Sequence, residues 1–419
     1  MQGIEQNPKL GYYQVGDKRF YSKPQALIYA TETNQTPEWI FNSIVYAKVN
    51  WQLEPETDIR ELYRLRALQL RDSYDYIKLE LSGGGDSTTA AFAFLLNGIH
   101  LDEVIFRYPK QGEKDCTADP FNTKPTNTLS EFQFAAKPLL NWIKTNYPKT
   151  KVTIHDYSEN MLEDEGSRDE TWIFNTRDWF QPGHADKYTH FGTKEQKELA
   201  NSGKSICALV GIDKPKITLI NGKWYAYFND LQANSANPIV NDYTNITSEY
   251  FFWTPDLPEI VVKQAHMITE WFDAPQNQHL KHLVSWPNTD PAKRTAYEHI
   301  AKSIIYPEYD LETWQTAKPT NSFYNEMDQW FYTNFKETQL YSAWEAGLQL
   351  LLDKINPKYL MYQLGIPVGL TSNTTPFYYI GAESTTQNPT LINRNYISDI
   401  AIPTFIDKKL VKINTGASS

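Results

Sequence analysis

Cysteine is scarce in this chain. Only two of its 419 residues are cysteines, Cys116 and Cys207, and they do not form a Cys-x-x-Cys pair. Two thiols cannot build a disulfide scaffold or a four-cysteine zinc site. The low cysteine content therefore argues against those two protein classes and favours a reducing, cytoplasmic environment.

Long apolar runs and an excess of positive charge are also missing. No stretch approaches the ~18 apolar residues of a membrane-spanning helix, and the first residues lack the pattern of a secretory signal. The 40 basic residues are outnumbered by 50 acidic ones, which gives a formal net charge of −10. We therefore expect a soluble, intracellular protein with no membrane partner and no broad surface for nucleic acid.

Strand-like and helix-like segments alternate from residue 76 onwards. Short β-branched and apolar runs are separated by longer helical stretches, the pattern typical of parallel strands joined by helices. The alternation predicts an α/β fold whose mostly parallel, doubly wound sheet is covered on both faces. We predict strands at 76–81, 103–108, 151–155 and 205–211, and helices at 88–97 and 128–146.

The segments on either side of this alternation have a different character. Two β-rich runs around Gly16-Asp17 predict an N-terminal hairpin, and Asn221-Gly222 predicts the turn of a second hairpin at 216–228. Helical periodicity is found at 58–71, 260–272, 291–305, 322–335 and 341–354. The predicted domains are a hairpin-led element (1–57), an α/β domain (58–255) and a mainly helical C-terminal region (256–419).

The glycine loop, residues 82–88 with the sequence Ser-Gly-Gly-Gly-Asp-Ser-Thr, carries the strongest chemical signal. Three glycines let main-chain amides approach a ligand closely, and the helix that follows adds free N–H groups and a positive dipole end. Such a loop suits a phosphate chain. Because a carboxylate repels phosphate unless a divalent cation lies between them, Asp86 implies Mg²⁺. The alternative is a flexible turn in which Asp86 caps the helix.

This loop resembles the PP-loop, the Ser-Gly-Gly-x-Asp-Ser signature of the ATP pyrophosphatase superfamily. That superfamily, which includes asparagine synthetase and the sulfonucleotide (PAPS) reductases, has an adenine nucleotide α-hydrolase-like fold. The resemblance implies that ATP is bound with Mg²⁺ and cleaved between its α and β phosphates, with AMP transferred to a substrate oxygen. It assigns Asp86 to Mg²⁺ and to catalysis. It assigns pyrophosphate binding to Ser82, Gly83, Gly84, Gly85 and Ser87. Thr88, the next residue of the loop, is a further candidate for nucleotide binding.

Several features of individual PP-loop subfamilies are missing from the chain. Residue 2 is glutamine, so the N-terminal cysteine glutaminase of asparagine synthetase is not expected. Two cysteines cannot supply the zinc site of 7-cyano-7-deazaguanine synthase, the subfamily whose loop the chain resembles most. No cysteine follows Cys207, where a sulfonucleotide reductase needs its nucleophile. An acidic, cysteine-poor chain also does not suit tRNA thiolation. Two readings remain: adenylation followed by attack of a nitrogen nucleophile, or an unusual nucleotide chemistry of the same fold.

Four residues outside the glycine loop are further candidates. Asp213 could be a second metal ligand and Lys214 could neutralise phosphate charge, although a surface turn fits the same residues. Arg107, at the end of the second predicted strand, could face the adenosine, a phosphate or only solvent. His266 could act as a general base toward an attacking amine, but its apolar helix neighbours favour a packing role.

Our first hypothesis is therefore an AMP-forming synthetase that makes an amide or another C–N bond. Its partners would be ATP and a small molecule or nucleobase derivative, in nucleotide or nucleic-acid modification, and a homo-oligomer is compatible with the sequence. A fainter resemblance to PP-loop proteins of large bacteriophages would place it in a host cytoplasm. A sulfonucleotide reductase-like protein and a non-catalytic nucleotide sensor are the alternatives.

Overall fold

Eleven strands in three sheets and nine α-helices make up the described part of the computed structural model. The described residues are 7–108, 110–115, 117–118, 129–156, 169–171, 194–230, 244–286, 290–309, 336–356, 375 and 377–381. The strands are β1 (Tyr12–Val15), β2 (Lys18–Phe20), β3 (Glu38–Ile40), β4 (Tyr76–Glu80), β5 (Glu103–Tyr108), β6 (Lys151–Asp156), β7 (Ile206–Val210), β8 (Lys216–Ile220), β9 (Lys223–Tyr227), β10 (Ile246–Tyr250) and β11 (Tyr378–Ile380). The helices are α1 (Lys23–Thr33), α2 (Ser43–Tyr46), α3 (Ile59–Ser73), α4 (Gly85–Leu95), α5 (Lys137–Asn146), α6 (Lys194–Ala200), α7 (Glu259–Asp273), α8 (Pro291–Ile305) and α9 (Gln339–Lys354).

The largest sheet has five strands, and all of them are parallel, which confirms the predicted α/β class. Their spatial order is β10-β7-β4-β5-β6. The chain therefore starts at the central strand β4, adds β5 and β6 on one side, and then returns to add β7 and β10 on the other. The strand order reverses between β4 and β7.

The two faces of the central strand differ in polarity. Ile77 and Leu79 are completely buried and belong to the same hydrophobic core as the apolar side chains of α3 and α4. Lys78 and Glu80 alternate with them and therefore lie on the opposite face. Lys78 is only 1% exposed, and its backbone register partner on β5 is Glu103, which is also buried. One face of this sheet thus carries buried charge.

Helix α4 begins three residues earlier than the sequence pattern predicts. Its first residue is Gly85 and its N-cap is Gly84, so the second half of the glycine loop forms the first helical turn. A carboxylate in the first turn is stabilised by the positive end of the helix dipole, and Asp86 occupies that turn. The earlier start brings Asp86 and Ser87 onto a rigid element.

The two smaller sheets are antiparallel and contain both predicted hairpins. Strands β1 and β2 form the N-terminal hairpin, to which β3 adds a third strand. Strands β8 and β9 turn at Asn221 and Gly222, whose positive φ angles of 50° and 76° suit a two-residue hairpin turn. Strand β11, from the C-terminal region that is predicted to be mainly helical, pairs with β9.

Aromatic side chains from the three predicted domains share one hydrophobic core. Phe41 from the N-terminal element lies 5.0 Å from Phe228 and 5.7 Å from Trp253, measured between ring centroids. Trp51 stacks on Tyr378 at 4.9 Å. These contacts join segments that are far apart in sequence, and the predicted domain boundaries stay a prediction.

The C-terminal helices α7, α8 and α9 occupy the segments for which the sequence predicts helices at 260–272, 291–305 and 341–354. The helix predicted at 322–335 lies outside the described residues. In the described ranges, no helix combines the length and the apolar character that crossing a membrane requires.

Candidate functional site

The strand order brings two loops to the same edge of the parallel sheet. The glycine loop follows β4, and a second loop, the β7 loop (residues 211–215), follows β7. Strands β4 and β7 are neighbours, and the strand order reverses between them. In open α/β sheets, ligands bind in the crevice at the carboxyl ends of the strands where the order reverses. The two loops are therefore the first place to look for a site.

Two serines hold the glycine loop in its bent shape. The hydroxyl of Ser87 accepts a hydrogen bond from the backbone N–H of Ser82 at 3.1 Å and donates one to the carbonyl of Gly84 at 3.2 Å. The N–H of Gly84 in turn donates to the Ser82 hydroxyl at 3.3 Å. Because these bonds connect the two ends of the loop, its main chain is fixed before any ligand arrives.

Two glycines allow the backbone to pack closely around this loop. Gly83 has a φ of +76°, and a Cβ added there would lie 2.7 Å from the backbone nitrogen of Ala136. A Cβ at Gly211, on the β7 loop, would lie 2.8 Å from the Cα of Ser87. Real Cβ atoms do not approach backbone atoms so closely, so a side chain at either position would push the loop out of place.

The start of α4 is well suited to bind an anion. The first N–H groups of an α-helix have no intrahelical partner, and Gly84 provides no side-chain cap for them. The hydroxyl oxygen of Thr88 is buried and has no hydrogen-bond partner in the described part of the chain. Free amides and the helix dipole together attract phosphate or carboxylate groups.

A buried lysine joins the two loops. The ammonium of Lys214 lies 2.9 and 3.0 Å from the two carboxylate oxygens of Asp86, and 2.7 Å from Asp213. Lys216 binds the other oxygen of Asp213 at 2.8 Å. The sequence leaves open whether Asp213 and Lys214 reach the glycine loop, and the structure brings both of them to it.

The charges of this cluster stabilise one another. Burial alone would raise the pKa of the Asp213 carboxyl, but the ammonium groups of Lys214 and Lys216 outweigh it and hold that pKa well below its usual range. Burial would lower the pKa of Lys214, but Asp213 and Asp86 raise it well above its usual value. Lys214 is therefore a permanently charged cation at the start of α4.

Helix α8 and the residue after it complete the surroundings of Asp86. The hydroxyl of Tyr306 donates a short hydrogen bond to Asp86 Oδ1, and burial followed by the Asp86 charge keeps the pKa of Tyr306 well above its usual value. Tyr297 donates to the carbonyl of Pro215 at 2.6 Å, and Glu298 lies 3.7 Å from the ammonium of Lys216. Nothing in the local sequence marks these three residues as part of a site.

Comparisons with known proteins give no family for the chain. No protein-family model matches it, and no curated protein sequence matches it.

Arg107 is paired with a carboxylate of the neighbouring strand. Its Nε and Nη2 atoms bind the two carboxylate oxygens of Glu80 at 2.9 and 2.8 Å, and the residue is 5% exposed. Glu80 is the last residue of β4, directly before Leu81 and the glycine loop. Arg107 is therefore buried and does not face solvent, which was one of the alternatives that the sequence left open. Its contact with a nucleotide stays a prediction.

His155 lies beside Arg107 in the strand register and is 4% exposed. Its Nε2 atom has no hydrogen-bond partner in the described part of the chain. Burial, followed by the positive charges of Arg107 and Lys78, lowers the pKa of His155 to about 4. The imidazole is therefore neutral at physiological pH.

Acid should destabilise the folded protein through His155. Its unfolded-state pKa is about 6.5, so between pH 6.5 and 4 the unfolded chain binds the proton more readily than the folded chain does. Stability is therefore highest above pH 6.5 and falls as the pH approaches 4, by up to about 3 kcal/mol from this group. Urea unfolding at several pH values should show that the free energy of unfolding falls less steeply between pH 6.5 and 4 for His155→Gln than for the wild type.

The exposed His279 provides the matched control for this measurement. His279→Gln should keep the wild-type slope between pH 6.5 and 4. A His155→Gln profile that runs parallel to the wild-type profile would contradict the assigned burial effect.

The structure does not bring His266 to the glycine loop. Its Nε2 atom lies 2.9 Å from the carbonyl of Trp51, and its side chain lines a cavity of about 490 Å³ together with Trp224, Glu270 and Asp273. No described contact joins His266 to Asp86 or Lys214. A role as base toward a ligand at the glycine loop therefore has no geometric support, and the packing alternative fits the observed contact.

The described ranges contain no ready-made metal site. No group of three or more histidine, cysteine, aspartate or glutamate side chains there is arranged to hold a metal ion. Asp86, whose side chain is 22% exposed, and Asp213 are both bound to Lys214. Mg²⁺ is usually held by one or two carboxylates together with substrate phosphates, and its binding by these two carboxylates stays a prediction.

Proposed function

We propose that the chain is an ATP-dependent adenylating enzyme that forms AMP and pyrophosphate. The proposal includes a doubly wound sheet with Mg-ATP bound across the carboxyl ends of β4 and β7. It rests mainly on one observation, the buried ammonium of Lys214 that binds Asp86 at the start of α4 and Asp213 on the neighbouring loop. A charged cation, paired carboxylates and an uncapped helix start are the groups that phosphoryl transfer requires.

The residues present fit a magnesium nucleotide. The N–H groups at the start of α4 and the unpartnered hydroxyl of Thr88 can bind phosphate oxygens. Asp86 and Asp213 would hold Mg²⁺, which neutralises phosphate charge when it is bound. A side chain at Gly83 or Gly211 would collide with the backbone that forms this cradle.

In the proposed reaction, a substrate oxygen attacks the α-phosphorus of ATP. The bond to the bridging oxygen breaks, and pyrophosphate leaves with the bonding electrons. Lys214 stabilises the negative charge that develops on the phosphate oxygens, because its own charge is fixed in a buried position where electrostatic interactions are strong. The rigid glycine loop keeps the phosphates in line for this displacement.

We propose a nitrogen nucleophile for the second half of the reaction, which yields an amide or a related C–N bond. Cys207 is the single cysteine in the described ranges, and it is completely buried in β7. Burial raises the pKa of its thiol well above the usual value, so it does not supply a reactive thiolate. This favours nitrogen over sulfur transfer, while Cys116 lies outside the described residues.

Product analysis tests the proposed function. The protein is incubated with ATP, Mg²⁺ and a small-molecule extract, and the nucleotides are separated by liquid chromatography. We expect AMP and pyrophosphate from the wild type and a loss of at least about a hundredfold for Asp86→Ala and Asp86→Asn, a typical effect for a lost charged group in an active site. The exposed Asp72→Ala variant should keep the wild-type rate.

Two outcomes would contradict the proposal. ADP as the sole product would show cleavage at the wrong phosphate. Tight ATP binding without any AMP would support a nucleotide sensor instead of an enzyme.

A further inference from the structure

The C-terminal end of helix α8 lies against the first residues of α4. Lys302 and Tyr306 are four residues apart, so they project from the same side of the chain at the end of this helix. Tyr306 binds Asp86 in the first turn of α4. Its ring also lies 3.2 Å from the position that a Cβ at Gly85 would take.

The stem of Lys302 lies on the first residue of α4. Its Cδ and Cγ atoms are 3.3 and 3.4 Å from the position of a Cβ at Gly85. Gly85 carries one of the N–H groups that have no partner within α4. Only Cε separates Cδ from the ammonium, so a lysine side chain placed here is long enough to reach an anion at the same helix start.

The charge balance of the site shows why another cation is needed. Lys214 and Lys216 oppose Asp86 and Asp213, and Glu298 adds a third carboxylate near Lys216. With two ammonium groups and three carboxylates, this set has no net positive charge to offer a phosphate. A polyphosphate brings more negative charges than the Mg²⁺ that would accompany it can neutralise, so its binding favours a further cation beside this set.

We propose that Lys302 is a phosphate-binding residue whose ammonium contacts the two terminal phosphates of ATP, the group that leaves as pyrophosphate. This inference rests on the proposed function, since it assumes that ATP occupies the glycine loop. It adds the C-terminal end of α8 to a phosphate site formed by the glycine loop and the β7 loop. Nothing in the local sequence marks Lys302 as part of a site.

Isothermal titration with three probes tests this assignment: Mg-ATP, Mg-pyrophosphate and AMP. For Lys302→Met we expect binding of Mg-ATP and Mg-pyrophosphate to weaken about tenfold, the usual effect of losing one charge-assisted hydrogen bond. AMP lacks both terminal phosphates, so its affinity should stay within about twofold. Lys302→Arg should recover most of the loss, because it restores the positive charge.

Lys293→Met is the matched control, since Lys293 lies on the same helix near its other end. It should change none of the three affinities. If the wild type binds ATP and Lys302→Met behaves like Lys293→Met, the inference is wrong and the proposed function stands. Equal losses for ATP and AMP would also overturn it, because they would indicate a displaced helix. A wild type that binds no ATP would remove the proposed function and the inference together.

Discussion

Replacing Lys214 by methionine should both destabilise the protein and abolish AMP formation. Methionine keeps the length of the side chain but removes the ammonium that binds Asp86 and Asp213. Asp213 would then remain buried with only Lys216 as a partner. Removing one member of a buried ion pair usually costs about 3–5 kcal/mol, and we expect about 3 kcal/mol because Lys216 still compensates Asp213.

Urea unfolding and AMP release by the same Lys214→Met preparation measure the two effects separately. The double variant Asp213→Asn/Lys214→Met removes a buried charge together with its partner, so it should regain part of the lost stability. It should remain inactive, since the cation is still missing. A Lys214→Met protein with wild-type activity would show that this lysine only stabilises the fold.

A methyl group at Gly83 should distort the glycine loop and eliminate nucleotide binding. An L-residue with a φ of +76° costs about 1–2 kcal/mol. The added Cβ would also lie 2.7 Å from the nitrogen of Ala136 and 2.8 Å from the carbonyl carbon of Ala135, and backbone atoms cannot rotate away. We expect Gly83→Ala to lower the free energy of unfolding by about 3 kcal/mol, more than the φ penalty alone.

Gly98 offers a control that separates the cost of a positive φ angle from the cost of the steric collision. It has a similar φ of +68°, and a Cβ there would meet no atom within 4 Å. Gly98→Ala should therefore lose only about 1 kcal/mol and keep full ATP affinity. Chemical unfolding and ATP titration of both variants give the comparison. If Gly83→Ala and Gly98→Ala unfold alike and both bind ATP, close packing around Gly83 has no functional role.

Much of the α/β unit could be predicted because its signals are local. Strand β5 has the predicted bounds, and the turn of the second hairpin lies at Asn221-Gly222 as expected. Helix α4 differs from the prediction because glycines are poor helix formers within a sequence window, whereas here Gly84 and Gly85 form the N-cap and first turn. Strand β11 was missed because three residues give no usable periodicity.

The residues of the candidate site also fall into two groups, those that a local pattern predicts and those that only the folded chain brings together. The residue types and spacing of the glycine loop point to anion binding without reference to any other segment. Lys214 lies 128 residues from Asp86 and Tyr306 lies 220 residues from it, so only folding could bring them together. For His266 the residue type suggested a general base, but in the folded chain its side chain contacts the Trp51 carbonyl instead of the glycine loop.

The sequence by itself determined the α/β class, four of the five parallel strands, and the glycine loop between the first of these strands and its helix. These features depend on backbone preferences and hydrophobic periodicity within about thirty residues, and the amino-acid sequence contains that information. The tertiary structure decided that the strand order reverses between β4 and β7, which brings Asp213 and Lys214 to Asp86. It also decided that Lys302 and Tyr306 contact the start of α4. Contacts between distant segments depend on how whole faces pack, so they leave no local pattern in the sequence.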